Sequence, residues 1–119
     1  MADKKLFGRV LSVVIQGRSY DPFPGGTINP GGVSRETVVT NNGARFVEKI
    51  MQAKLDIELP FGAGDSKNDY VGAGLSIQVN CDSGQTFIMA DAWSTDVPDI
   101  AEGGKLKVVY ESAPAQEML

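Results

Sequence analysis

Lys54-Leu55-Asp56-Ile57-Glu58-Leu59 alternates charged and apolar side chains without a fault. Successive side chains of an extended strand point to opposite faces, whereas a helix would scatter the same residues around its circumference. The reading is a strand with Leu55, Ile57 and Leu59 on a core. Lys54, Asp56 and Glu58 then face water or a polar neighbour.

The pattern repeats downstream. Leu75–Asn80 places Leu75, Ile77 and Val79 inward, Asp82-Ser83-Gly84 makes a turn, and Gln85–Trp93 returns as a long strand. Strict alternation along that strand puts Phe87, Met89 and Trp93 on one face with Asp91, and Ile88, Ala90 and Ala92 on the other. Gly103-Gly104 turns into Lys105–Glu111, whose Leu106, Val108 and Tyr110 share a side. Upstream, Gly8–Gln16 reads as a strand with Leu11, Val13 and Ile15 together; Gln16-Gly17-Arg18 turns it, and Ser19-Tyr20 pairs back. Phe87, Met89, Trp93, Leu106 and Val108 are the expected core. Gly62–Gly74 is glycine-rich and polar, with room for one helical turn or two near Ser66–Val71, Asp65 being the expected N-cap. Residues 112–119, with Pro114, read as a short tail. Six or seven strands, punctuated by 14 glycines and 6 prolines, imply an all-β barrel or sandwich with at most one short helix. No linker or repeat divides the chain, so residues 1–119 are expected to form one domain.

One segment departs from this pattern. Arg35–Thr40 and Arg45–Met51 flank Asn41-Asn42-Gly43-Ala44, and Asn-Gly tolerates the positive φ angles of tight hairpin turns. The hairpin, about residues 33–53, carries Arg35, Glu36, Thr37, Thr40, Arg45, Glu48 and Lys49, which is too polar for a core. A lone two-stranded ribbon is marginal in water. The segment is therefore read as an arm that is either loosely ordered or lies on something else.

Composition narrows the function. The formal net charge is −4, unevenly divided: residues 1–60 hold 8 basic and 6 acidic side chains, residues 61–119 hold 3 and 9. An acidic molecule with no basic patch interleaved with aromatics does not grip nucleic acid. No apolar run approaches the roughly 20 residues that would span a bilayer. Met1–Lys5 carries charges with no apolar core behind them, so neither a secretory leader nor a membrane partner is expected.

Catalytic chemistry finds no foothold. The chain has 0 histidines, which removes the usual general base and metal ligand, and its lone cysteine, Cys81, can supply neither a disulfide nor a zinc site. Gly62-Ala63-Gly64 and Gly72-Ala73-Gly74 lack the context of a phosphate-binding loop. Asp65 and Asp69 lack the spacing of a calcium loop. Asp96 and Asp99 flank Pro98 in a turn, where aspartate is common for backbone reasons. No enzyme, cofactor or metal is expected.

The ordered set of motifs resembles the tail tube proteins of Mu-like contractile phages and related prophages. Gly8-Arg9-Val10-Leu11-Ser12-Val13-Val14-Ile15-Gln16-Gly17-Arg18-Ser19-Tyr20 looks like that family's first hairpin. Thr27-Ile28-Asn29-Pro30, followed by Ser34-Arg35-Glu36-Thr37-Val38-Val39, looks like the segment entering its long arm at Asn42-Gly43. The nearest likeness is C-terminal, in Gly84-Gln85-Thr86-Phe87-Ile88-Met89-Ala90-Asp91-Ala92-Trp93 and Ala101-Glu102-Gly103-Gly104-Lys105-Leu106-Lys107-Val108-Val109-Tyr110-Glu111. The likeness weakens over Gly62–Gly74, where the family has a fuller helix.

The resemblance implies a tail-tube fold with a protruding hairpin arm, and a structural subunit of a virion tail assembled in the host cytoplasm. Hexameric rings would stack into a hollow conduit for DNA. The partners would be further copies of the chain, a sheath outside, a tape-measure protein and transiently DNA inside, and a baseplate and terminator at the ends. Arg35, Glu36, Asn41, Asn42, Gly43, Arg45, Glu48 and Lys49 would then make inter-ring or inter-subunit contacts, and Asp56 and Glu58 would line an acidic lumen. Two rivals are a tube of the type VI secretion kind and a small β-barrel that binds a ligand; the latter calls for aromatics exposed around a pocket.

Overall fold

The computed structural model describes residues 4–118. It contains eleven strands and one 3₁₀ turn: β1 Val10–Ile15, β2 Arg18–Tyr20, β3 Thr27–Asn29, β4 Gly32–Thr40, β5 Gly43–Met51, β6 Ala53–Pro60, the 3₁₀ turn Lys67–Asp69, β7 Leu75–Cys81, β8 Thr86–Ser94, β9 Asp99–Ala101, β10 Lys105–Ser112 and β11 Gln116–Met118. The fold is all-β. Every strand pair is antiparallel.

The main sheet runs β2-β1-β7-β8-β10-β6-β3, with β11 added on β8 and β9 on β10. β8 joins two packed layers. Its first residues pair with β7 and β11, while Trp93 and Ser94 pair with β10. The alternating segment that opened the reading is β6. Its register on β10 sets Leu55 opposite Tyr110, Ile57 opposite Val108 and Leu59 opposite Leu106, all buried. From the facing layer come Val13, Ile15, Ile77, Val79, Met89 and Ala92. Each fully buried Leu, Ile or Val side chain is worth ~1.5–3 kcal/mol relative to exposure, so these positions hold the layers together.

Two bulges explain where strict alternation fails. In β1 the register slips between Val10 and Ser12, so Val10 is buried and Leu11, expected on one face with Val13 and Ile15, is exposed. In β8 one extra residue enters between Met89 and Ala92, where Asp91 adopts a left-handed φ of 51°. Unbroken alternation would have sent the Asp91 carboxylate into the core beside Met89. The bulge turns Ala92 inward instead and carries Trp93, expected in the core, to the surface at 42% exposure. Phe87 packs half-buried against the core; Met89, Leu106 and Val108 lie within it.

The loop 62–74 does more than link strands. Its 3₁₀ turn is capped by Ser66, not Asp65, and the Asp65 carboxylate accepts from the Gly62 N–H instead (2.9 Å). Tyr70, which the sequence reading did not single out, is buried between Tyr20 and Phe61. Its hydroxyl donates to the Pro60 carbonyl (2.9 Å), and its own carbonyl accepts the buried Tyr110 hydroxyl. Burial pushes both phenols above their ordinary pKa, so both remain donors at any physiological pH.

The segment read as a tail carries β11, whose Gln116–Met118 pair with Ile88–Thr86. β3, β9 and β11 escaped the sequence reading for one reason. Each has three residues and pairs at an edge, too short for a period of two to show.

Candidate functional site

β4 and β5 form a sheet of their own, paired from Gly32 opposite Met51 to Thr40 opposite Gly43. Nine residues per strand give an arm about 30 Å long at the usual rise. The molecule measures 64 × 42 × 25 Å and has a radius of gyration of 17.2 Å. A compact chain of this length would have about 13–14 Å. The arm accounts for the excess. Every arm residue except Gly32 is exposed, on both faces.

Local chemistry builds this shape. At the tip, Thr40 Oγ1 donates to the Gly43 carbonyl (2.9 Å) and accepts from the Asn42 N–H (3.3 Å). Asn41 and Asn42 occupy the turn without positive φ; that burden falls on Gly43 alone, at 124°. At the base, the Asn29 side chain accepts from the Gly31 N–H, which sets the chain leaving β3. Gly31 adopts φ 72°, and a Cβ there would lie 2.6 Å from the Met51 carbonyl oxygen. Only glycine fits where the outgoing and returning strands cross. The Ala115 N–H donates to the Pro30 carbonyl, and Gln52 Nε2 donates to Glu111 Oε1, tying the base to β10 and the segment after it.

The arm brings together Arg35, Glu36, Asn41, Asn42, Gly43, Arg45, Glu48 and Lys49. Its charges pair within the hairpin: Arg35 Nε lies 3.4 Å from Glu48 Oε1, and Lys49 Nζ lies 3.5 Å from Glu36 Oε2. Both pairs are exposed, and each contributes ~0.2–1 kcal/mol at most. Arg35 also lies over the Phe46 ring, 5.6 Å from its centroid. Among the described residues Arg45 has no ion-pair partner.

The arm also exposes Val33, Val38, Val39, Phe46, Val47, Ile50 and Met51. Val39 is 80% exposed, Ile50 78% and Phe46 59%. The register puts Val33, Val39, Ala44, Phe46 and Ile50 on one face and Val38, Val47 and Met51 on the other. The segment read as polar is thus apolar on both sides between its charges. The signal lay in Val38-Val39 and Phe46-Val47, adjacent apolar pairs that put one hydrophobe on each face of a strand.

Asp56 and Glu58 lie apart from the arm, half-buried on the outward face of β6. Glu58 stands opposite Lys107, Asp56 opposite Val109 and Lys54 opposite Glu111, and Asp99 of β9 sits beside Lys107. With Lys105, this face holds four carboxylates against three ammonium groups, a mixed surface of weak net charge.

A ribbon with hydrophobes on both faces and an open, many-edged sheet are features of a part made to be covered by other chains. The comparisons agree. The profile of phage tail tube proteins matches residues 4–117. The chain belongs to the phage tail tube protein family. It is 24% identical over 101 residues to the tail tube protein of Escherichia phage Mu, covering 84% of this chain and 85% of that one. It is equally 24% identical over 99 residues to the Mu-like prophage FluMu tail tube protein of Haemophilus influenzae, covering 82% of this chain and 84% of the relative. Tail tube proteins are structural components of the virion tail, not a class of enzymes. Among the described residues no group of three or more His, Cys, Asp or Glu side chains is placed to hold a metal ion, and no helix is long and apolar enough to cross a membrane.

Proposed function

We propose that copies of this tail tube protein close into hexameric rings through their sheet edges, and that the rings stack into a hollow conduit for DNA. The observation that carries this reading is the arm: about 30 Å of ribbon, apolar on both faces and touching none of its own core. Such a ribbon is marginal alone and becomes stable when a neighbouring subunit covers it. The arm reaches the adjacent ring. Its pairs Arg35–Glu48 and Glu36–Lys49 hold the ribbon in register, and Asn41, Asn42, Gly43 and Arg45 make the far contact. The short edges β2, β3, β9 and β11 are where neighbours within a ring add strands. Assembly takes place in the host cytoplasm. A sheath surrounds the tube, a tape-measure protein fills it, and a baseplate and a terminator close its ends.

Asp56 and Glu58 face the channel in this reading. Their sheet face holds one more carboxylate than ammonium groups, so a passing phosphate meets no net counter-charge to hold it.

Negative-stain electron microscopy of the concentrated protein, with sedimentation alongside, tests the assembly. Hollow tubes or six-fold rings are expected; a strict monomer at every concentration, also with a baseplate added as nucleus, would rule the reading out. For the channel, wild-type tubes should retain no DNA at low salt, whereas tubes of Asp56→Lys/Glu58→Lys should. Retention by wild type would remove the lumen assignment.

A further inference from the structure

Beside the base of the arm lies an open cavity of about 470 Å³. Ile50, Gln52, Asp91, Trp93, Ala113 and Pro114 line it. Two features mark it as built for an occupant. The β8 bulge, with a left-handed aspartate at its centre, is what brings the Trp93 indole out to this wall. Tryptophan is the residue most enriched where binding energy concentrates at interfaces. The same bulge sets the Asp91 carboxylate at the cavity with no ion-pair partner among the described residues.

The arm tip supplies the complement. Val39 and Phe46 are apolar, exposed and together on one face of the ribbon. Tip and cavity lie at opposite ends of the same arm, so no subunit can seat its own tip. The occupant is therefore the tip of a second copy.

We propose that this Trp93 cavity receives the Val39/Phe46 face of the tip of another subunit's arm. The inference rests on the stacking read above and names where the arm lands. Each subunit offers one tip and one cavity, on different parts of its surface. The contact is heterologous, and made between stacked rings it propagates along the tube axis.

That asymmetry supplies the test. Phe46→Ala damages the tip and leaves the cavity; Trp93→Ala damages the cavity and leaves the tip. Each variant alone should stay at the single-ring or single-subunit level under conditions where wild type stacks. Mixed in equal amounts, one population's tips meet the other's cavities, and the sedimenting mass should double and then stop. Ala113→Trp, which fills the cavity from an exposed position, should behave as Trp93→Ala does if the latter folds poorly. Wild-type stacking by any of these variants, or a mixture that keeps the mass of its components while wild type stacks, would overturn the landing site and leave the tube intact. Wild type that never associates would remove both readings together.

Discussion

β6 and the arm strands that precede it have similar lengths and similar content of Val, Ile and Leu, yet they end in opposite environments. β6 alternates buried and open positions from Ala53 to Pro60. β4 and β5 hold eighteen residues of which only Gly32 is not exposed. The difference lies in phase, not hydrophobicity. β6 places all its aliphatic side chains on one face, so a single partner layer buries them. The arm divides its aliphatic side chains between two faces, which one layer cannot cover. A strand with one apolar face completes its own subunit, and a ribbon with two waits for other subunits.

The sharpest way to break this contrast is to truncate one side chain in each region. Leu55→Ala, at a fully buried position, should destabilise the isolated subunit by ~2–5 kcal/mol in urea denaturation. Val39→Ala at the arm tip should shift the same transition by no more than ~0.5 kcal/mol, its effect appearing only in assembly. Equal losses in the two variants would mean that the arm folds as part of the subunit core.

A second variant asks how far the core extends into the loops. Tyr110→Phe removes the hydroxyl donated to the Tyr70 carbonyl and leaves that buried acceptor without its partner. A loss of ~1–3 kcal/mol is expected, together with faster amide exchange over 66–71. Unchanged exchange there would show the loop to be independent of the tyrosine pair.

Gly31→Ala tests the joint between the regions. The left-handed conformation alone costs a non-glycine residue ~1–2 kcal/mol. The new Cβ also meets the backbone of the returning strand at Met51 and Ala53. The arm should lose its set direction while β6 and β10 keep theirs. Tubes of normal appearance from this variant would show that arm direction is set by the neighbouring subunit.

Within the arm, a double-mutant cycle on Arg35 and Glu48 should give a coupling of only ~0.2–1 kcal/mol in the free subunit, falling with added salt. A markedly larger coupling in assembled tubes would show that a neighbour desolvates the pair.

The smallest effect concerns the N-terminal lead-in to β1. Hydrogen bonding from the Gly8 N–H, reinforced at Arg9, holds the Asp82 carboxyl below its usual pKa. A depressed native value means that the contribution is fully present at neutral pH. It fades as pH falls from the unfolded value of ~3.9 through the native one. The protection of the Gly8 amide relative to its intrinsic exchange rate should therefore fall in that acid range, and Asp82→Asn should abolish that fall. An amide as protected at pH 2 as at pH 7 would assign the contact to the backbone bond from the Asp82 N–H to the Arg9 carbonyl.

Much of this was legible in the residues. Period-two alternation located β1, β6, β7, β8 and β10 and assigned Leu55, Ile57, Leu59, Ile77, Val79, Leu106 and Val108 inward, because a strand in a two-layer sheet has only two sides to choose between. The hairpin between Arg35 and Met51 was legible as well, as was its failure to belong to a core. Its apolar character was not, because its hydrophobes divide between two faces and are interleaved with charges. Leu11 and Trp93 were misplaced by bulges of a single residue, which reverse the phase of everything beyond them.

Local pattern alone set the all-β class, the main strands, the inward faces away from bulges, and the resemblance to tail tube proteins. Those depend on local periodicity and on turn residues, which act over a few positions. Long-range packing set the rest: Trp93 faces out beside Ile50, Tyr70 plugs the core, the arm's charges pair with one another, and residues 116–118 complete an edge. Each of these depends on partners distant in sequence, or on a one-residue slip in register. Their energies are set by what the fold brings alongside, and no local pattern contains that information.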